Sequence, residues 1–124
     1  MLKKITKLIK SKTLGIATLS AIGFLSLSVP AFALSGHSLF GSEGCVACHT
    51  IHGVGGSIGP NLSHVGSQRS LSWIKTQIAT PGEHFKSGST VTINGNSYMA
   101  IMPGHKNISA SKLNALAKYL ESLK

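Results

Sequence analysis

The run Cys45-Val46-Ala47-Cys48-His49 limits what this chain can become more than any other stretch. Two cysteines three positions apart, with a histidine directly after the second, form the attachment signature of a c-type haem. The spacing follows from the chemistry. Each thiol adds to one vinyl group, and the two thioether bonds fix the porphyrin edge against the backbone. The next residue is then held where a neutral imidazole nitrogen reaches the iron on one face. Other uses of the motif fit poorly. A thiolate zinc site needs a second ligand pair, and the chain has only these two cysteines. A thioredoxin-like dithiol sits in a βαβ pattern, which nothing around the motif suggests. A disulfide across two intervening residues would close a strained loop. The fold must therefore wrap one large, flat, apolar group.

The start of the chain has the layout of an export signal. Met1 to Lys12 carries five lysines and no acid, Thr13 to Val29 is uncharged and apolar, and Pro30-Ala31-Phe32-Ala33 supplies an A-x-A site. Together these predict a secretory signal peptide over 1–33, cleaved after Ala33. A retained membrane anchor is the alternative. The apolar run is near the shortest that can span a bilayer and contains several Ser and Gly, which favours cleavage. What remains, 34–124, is one domain of about 90 residues. A domain this small buries a marginal core by itself, and a covalently held haem adds apolar surface to pack around.

The net charge of +9 belongs largely to the segment expected to leave. Seven basic residues, Arg69 and Lys75, Lys86, Lys106, Lys112, Lys118 and Lys124, then face three acids, Glu43, Glu83 and Glu121, for +4. Charge that sparse and scattered excludes nucleic acid as a partner and leaves room for a mildly basic docking face.

The pattern along 34–124 is mostly helical. Ser35 to Gly44 reads as a short first helix, with Leu39 and Phe40 apolar and Gly36 on the same face as Phe40, where another helix can come close. Thr50 to Gly59 is rich in glycine and reads as a loop that lets the backbone run near a flat ligand. Ser70 caps the next helix, which carries Leu71, Ile74 and Ile78 at helical spacing with Trp73 beside them. Thr80-Pro81 ends it, because the residue before proline avoids the helical region. Asn94-Gly95 between Thr90-Val91-Thr92-Ile93 and Asn96-Ser97-Tyr98 signals a hairpin, a small flap near 90–98 whose arms are too short to stand alone. Ser109 to Lys124 is the clearest helix. Leu113, Leu116, Ala117, Leu120 and Leu123 form its apolar stripe. Ser109 can cap it, with Lys112 where a capping box would have an acid. The fold class expected is all-α, with three or four helices around one haem, the first and last crossing, and the flap at one side.

His49 supplies one axial bond. The second can come from Met99, Met102, His37, His52, His64, His84 or His105. Met102 precedes Pro103 in a loop just before the last helix, and the proline stiffens that loop. CVACH near the start, GPNL shortly after, Met-Pro late and a final LNALAKYLESL helix together resemble the small monohaem cytochromes c. The resemblance covers nearly all of 35–124. It implies that Met102 is the sixth ligand and that Pro60 offers its carbonyl to the N–H of His49, a bond that fixes the ring's orientation. It implies that the VGSQRSLSWI stretch brings Arg69 and Trp73 to the haem propionates. It also implies attachment of the haem outside the cytoplasm, in agreement with the export signal. The hairpin before the ligand loop is similar to that in cytochrome domains of bacterial respiratory and dehydrogenase complexes.

The function expected is that of an exported one-electron carrier with one covalent haem c, in the periplasm or on the outer face of the membrane. Its partners would be redox proteins or a membrane oxidoreductase, with no small-molecule substrate. Two alternatives stay open: a haem enzyme or gas or peroxide sensor with a labile sixth ligand, and a cytochrome subunit of a larger membrane oxidoreductase.

Overall fold

The structure is a computed structural model and describes residues 35–124. The signal peptide expected over 1–33 and its expected cleavage site after Ala33 lie outside the described residues. Four helices carry the fold: α1 (Gly36–Ser42), α2 (Val65–Gln68), α3 (Leu71–Ala79) and α4 (Ala110–Ser122). Two small antiparallel hairpins stand between them: β1 (Thr50–Ile51) with β2 (Val54–Gly55), and β3 (Thr90–Ile93) with β4 (Asn96–Met99).

The longest helix among the described residues, α4, forms where propensity, cap and stripe agree. Ser109 Oγ accepts from the Lys112 backbone N–H at 3.3 Å, satisfying one of the orphan donors of the first turn. Leu116, Ala117 and Leu120 are buried, while Leu113 and Leu123 lie partly buried against the same core. Lys112 stands where a capping box would have an acid, and its Nζ reaches the Glu43 carboxylate at the end of α1, at 2.8 Å. The lysine side chain is still 42% exposed, so solvent screens the pair and it adds at most about 1 kcal/mol.

α1 and α3 both pack on α4. A Cβ on Gly36 would run into the Tyr119 Cβ and the Ala115 carbonyl of α4, so the first and last helices cross with backbone almost against backbone. Leu39 and Phe40 of α1, Ile74 and Ile78 of α3, and Ile51 of β1 complete the buried core. α3 starts at its Ser70 cap, whose Oγ accepts from Trp73 N–H at 3.3 Å. It stops at Ala79, before Thr80-Pro81, and a single tight turn over Pro81–Glu83 redirects the chain.

The flap has the register that Asn-Gly dictates. Asn94 and Gly95 have φ of 51° and 80°, the positive pair of a type I′ turn, and Val91 pairs with Tyr98. The strands run one residue past the predicted span, because Thr90 also pairs with Met99. Asn94 Nδ2 donates to Gln68 Oε1 at 3.3 Å, pinning the tip to α2. After the flap the chain has no regular element until α4, and it makes one turn at Lys106-Asn107, where Ile108 N–H donates to the His105 carbonyl at 3.1 Å. It is held at Ala100, whose N–H donates to the Ser89 carbonyl at 2.8 Å, and at His105, whose N–H donates to the Ile78 carbonyl at 3.0 Å. Met102 and Pro103 lie between these ties. Among the described residues no helix is long and apolar enough to cross a membrane.

Candidate functional site

Cys45, Val46 and Ala47 form one helical turn directly after α1, so the two thiols leave a rigid, compact segment. Both cysteines are free and half-buried. Burial raises the Cys45 thiol pKa; a hydrogen bond from its own backbone opposes this, and Glu43 and Cys48 reinforce it. In a thioether the sulfur no longer titrates.

His49 is fixed from both sides. Its Nδ1 lies 2.8 Å from the Pro60 carbonyl. A carbonyl only accepts, so Nδ1 carries the proton and Nε2 keeps a free lone pair. Burial lowers the imidazole pKa against the opposing pull of the Pro60 bond, and the ring is a neutral nitrogen donor. A Cβ on Gly59 would come within 2.5 Å of the ring's Cε1 and 2.7 Å of Nδ1. The glycine therefore makes room for the imidazole.

The glycine-rich stretch departs here from the loop expected of it. Thr50–Gly55 is a two-residue hairpin, with His52 and Gly53 at φ of 49° and 82°. The following residues clamp the motif itself: Gly56 N–H donates to the Val46 carbonyl at 2.9 Å and Gly59 N–H to the Cys48 carbonyl at 2.7 Å. Backbone approaches backbone at both positions, and Gly59 also lines the cavity that His49 lines. His-Gly in the turn is a weaker signal than Asn-Gly, because the two-residue hairpin turns favour Asn-Gly, Asp-Gly and Gly-Gly.

Cys45, Cys48, His49, Pro60, Arg69, Trp73 and Met102 all line one cavity of ≈ 450 Å³. That volume falls in the roughly 300–1,000 Å³ range of cofactor sites. Its walls are Phe40, Leu62, Ile74, Ile78 and Leu120 from the core, and Val91, Ile93 and Tyr98 from the flap. The flap is thus a wall of the site, which its sequence position alone does not reveal.

On the side opposite the motif in sequence, Met102 is half-buried while Met99 is 59% exposed on β4. Gln77 Nε2 of α3 donates to Met102 Sδ at 3.4 Å. Gln77 Oε1 lies 3.0 Å from His84 Nδ1, and the His84 ring stacks flat on Trp73, with centroids 4.3 Å apart and planes 1° apart. Arg69 places its guanidinium 4.6 Å from the Trp73 ring, so Arg69 and Trp73 come together as a cation–π pair. Gln77 is not singled out by the sequence. Its signal there is weak but present: a polar residue four positions after Trp73, between the buried Ile74 and Ile78.

The remaining histidines separate. His37 is exposed and meets Tyr119 edge-on. His52 sits in the β1–β2 turn, and its backbone N–H donates to Ser63 Oγ at 2.8 Å. His64 Nδ1 lies 2.8 Å from the Lys124 carbonyl, tying down the end of the chain. His105 is half-buried at the cavity rim. His84 is half-buried, because the turn after α3 folds it back onto Trp73.

The residues fit a haem attached at Cys45 and Cys48. The cavity is apolar, a neutral imidazole with a free Nε2 and a thioether sulfur both face it, and among the described residues no buried side-chain polar atom lacks a partner. No curated protein and no solved structure matches the chain. A model of the family described as cytochrome c matches residues 33–124. The chain therefore belongs to the cytochrome c family of haem-binding electron carriers, with covalent haem c as its cofactor.

Proposed function

We propose that this protein is an exported one-electron carrier whose haem iron is held between His49 Nε2 and Met102 Sδ. The haem supplies an iron that cycles between ferrous and ferric states. The protein's residues do the rest. Cys45 and Cys48 anchor the porphyrin edge, and Pro60 holds the His49 tautomer that leaves Nε2 available. Met102, in a loop tied at Ala100 and His105, offers sulfur, which favours the ferrous state relative to a second histidine. The core and flap exclude water, which disfavours the extra charge of ferric iron. Arg69, beside Trp73 at the cavity, is the group available to a propionate.

The observation that carries this reading is the shared cavity. A fixed imidazole and a half-buried thioether line the same apolar space as the two attachment thiols. His49 and Met102 would together hold the iron on both faces, so a bound haem would supply one-electron transfer with little rearrangement to partners docked briefly at the cavity. Respiratory redox proteins or a membrane oxidoreductase are the partners proposed.

The test is the variant Met102→Ala. The wild-type ferric protein should show the weak far-red charge-transfer band of sulfur ligation. The variant should lose it, fall in potential and bind carbon monoxide, whereas Met99→Ala should leave the band in place. Wild-type protein that lacks the band and binds carbon monoxide readily would point instead to a sensor or enzyme with an open iron position.

A further inference from the structure

The polar chain from Met102 outward does work that an apolar lining could not. A thioether sulfur only accepts hydrogen bonds. With Met102 as an axial ligand, one of its lone pairs is taken by iron and the other is free. The Gln77 amide can present either N–H or oxygen to that lone pair, and only N–H is attractive. What selects the orientation lies at the amide's other end. Gln77 Oε1 is 3.0 Å from His84 Nδ1, so with Nε2 on the sulfur at 3.4 Å the imidazole must be the donor.

The imidazole is itself held. It lies flat on Trp73 and meets Phe85 edge-on at 6.3 Å, and its backbone N–H donates to the Pro81 carbonyl at 3.1 Å. Trp73 and Gln77 are four residues apart on α3, so one helix face carries both the platform and the amide. The turn at Pro81–Glu83 brings His84 back over that face.

We propose that His84 is a positioning residue for electron transfer: it locks the Gln77 amide so that its N–H points at the Met102 sulfur and raises the potential of the centre. The proposal rests on Met102 as an axial ligand. A hydrogen bond donated to the sulfur withdraws electron density from it. The sulfur becomes a poorer donor to ferric iron, and the ferrous state gains. In a partly buried, low-dielectric setting such a bond counts for more than it would in water. His84 touches neither sulfur nor iron and acts only through the amide.

The experiment is a double-mutant cycle on the holoprotein, read as midpoint potential by spectroelectrochemistry, with the far-red band recorded for each variant. Gln77→Leu should lower the potential and keep the band. His84→Phe preserves an aromatic stack on Trp73 but has no N–H, and it should lower the potential by most of the same amount. His84→Asn places an amide N–H where Nδ1 stood and sacrifices the stack, and it should stay near wild type. In the Gln77→Leu background, His84→Phe should change nothing further. Gln77→Glu, almost identical in shape, replaces the N–H with oxygen and should lower the potential at least as far, so the test survives if Gln77→Leu folds poorly.

Equal shifts from His84→Phe in both backgrounds would overturn the proposal, since His84 would then act directly on the haem. So would no shift in the wild-type background, or His84→Asn behaving like His84→Phe. The ligand reading is judged separately: a far-red band present in wild type and lost in Met102→Ala upholds it whatever Gln77 and His84 do.

Discussion

At Gly59 the lack of a side chain is what leaves room for the His49 imidazole. A methyl group there would lie 2.5–2.7 Å from two atoms of the His49 ring, and the ring cannot yield without leaving the Pro60 carbonyl. Gly59→Ala should therefore destabilise the holoprotein by about 1–3 kcal/mol, the range for overpacking a tight site. It should also lower the yield of covalently loaded protein, measured as haem absorbance per polypeptide. A denaturation midpoint and haem content equal to wild type would show that the imidazole has more freedom than its contacts imply. At the same scale, the bond between Gln77 and Met102 is a property of one amide, and no neighbour in sequence announces it.

Among the elements, the crossing of α1 and α4 decides how tightly the domain closes. Two glycines of α1 make opposite predictions. Gly36 faces α4, and any Cβ on it collides with Tyr119 and Ala115. Gly36→Ala should lower the urea midpoint with an unchanged m-value, by about 1–3 kcal/mol in stability. A Cβ on Gly41, in the last turn of the same helix, would meet nothing within 4 Å. Gly41→Ala should stabilise by about 0.4–1 kcal/mol, because alanine restricts the unfolded chain and nothing in the folded one objects. The same substitution with opposite signs, at two positions of one helix, separates packing from propensity. The flap belongs here too. Its Asn-Gly turn and register follow local rules, but its value lies in the wall that Val91, Ile93 and Tyr98 add to the cavity.

For the whole molecule, a covalently bound haem would add its apolar face to a small core of side chains. The protein purified from the exported fraction should begin at Leu34. Its mass should exceed that of the 34–124 chain by one haem, and the haem should stay on the polypeptide through acid–acetone extraction. Edman sequencing and intact-mass spectrometry check both. An intact Met1 in the membrane fraction would make the first segment an anchor, and haem that extracts freely would remove the covalent link on which the whole reading depends.

Much of this protein is written locally, where physics acts between near neighbours. The thiol spacing of Cys45 and Cys48 with His49 next in line determines the cofactor, because two thioether bonds and one imidazole need that geometry and little else. Ser70 and Ser109 cap helices and Thr80-Pro81 ends one, because those effects operate within a single turn. Asn94-Gly95 determines a hairpin for the same reason. Other features needed the folded chain. The glycines after His52 clamp the motif's own backbone, which is visible only once the hairpin of β1 and β2 has folded them onto it. Gln77, His84 and Met102 come from a helix, a turn and an extended loop, and nothing in their spacing brings them together. Only the packing of that loop on the end of α3, with His105 bonded to Ile78, sets sulfur beside amide and amide beside imidazole. Contacts between residues distant in sequence depend on the geometry of everything between them, and that geometry is a property of the tertiary structure.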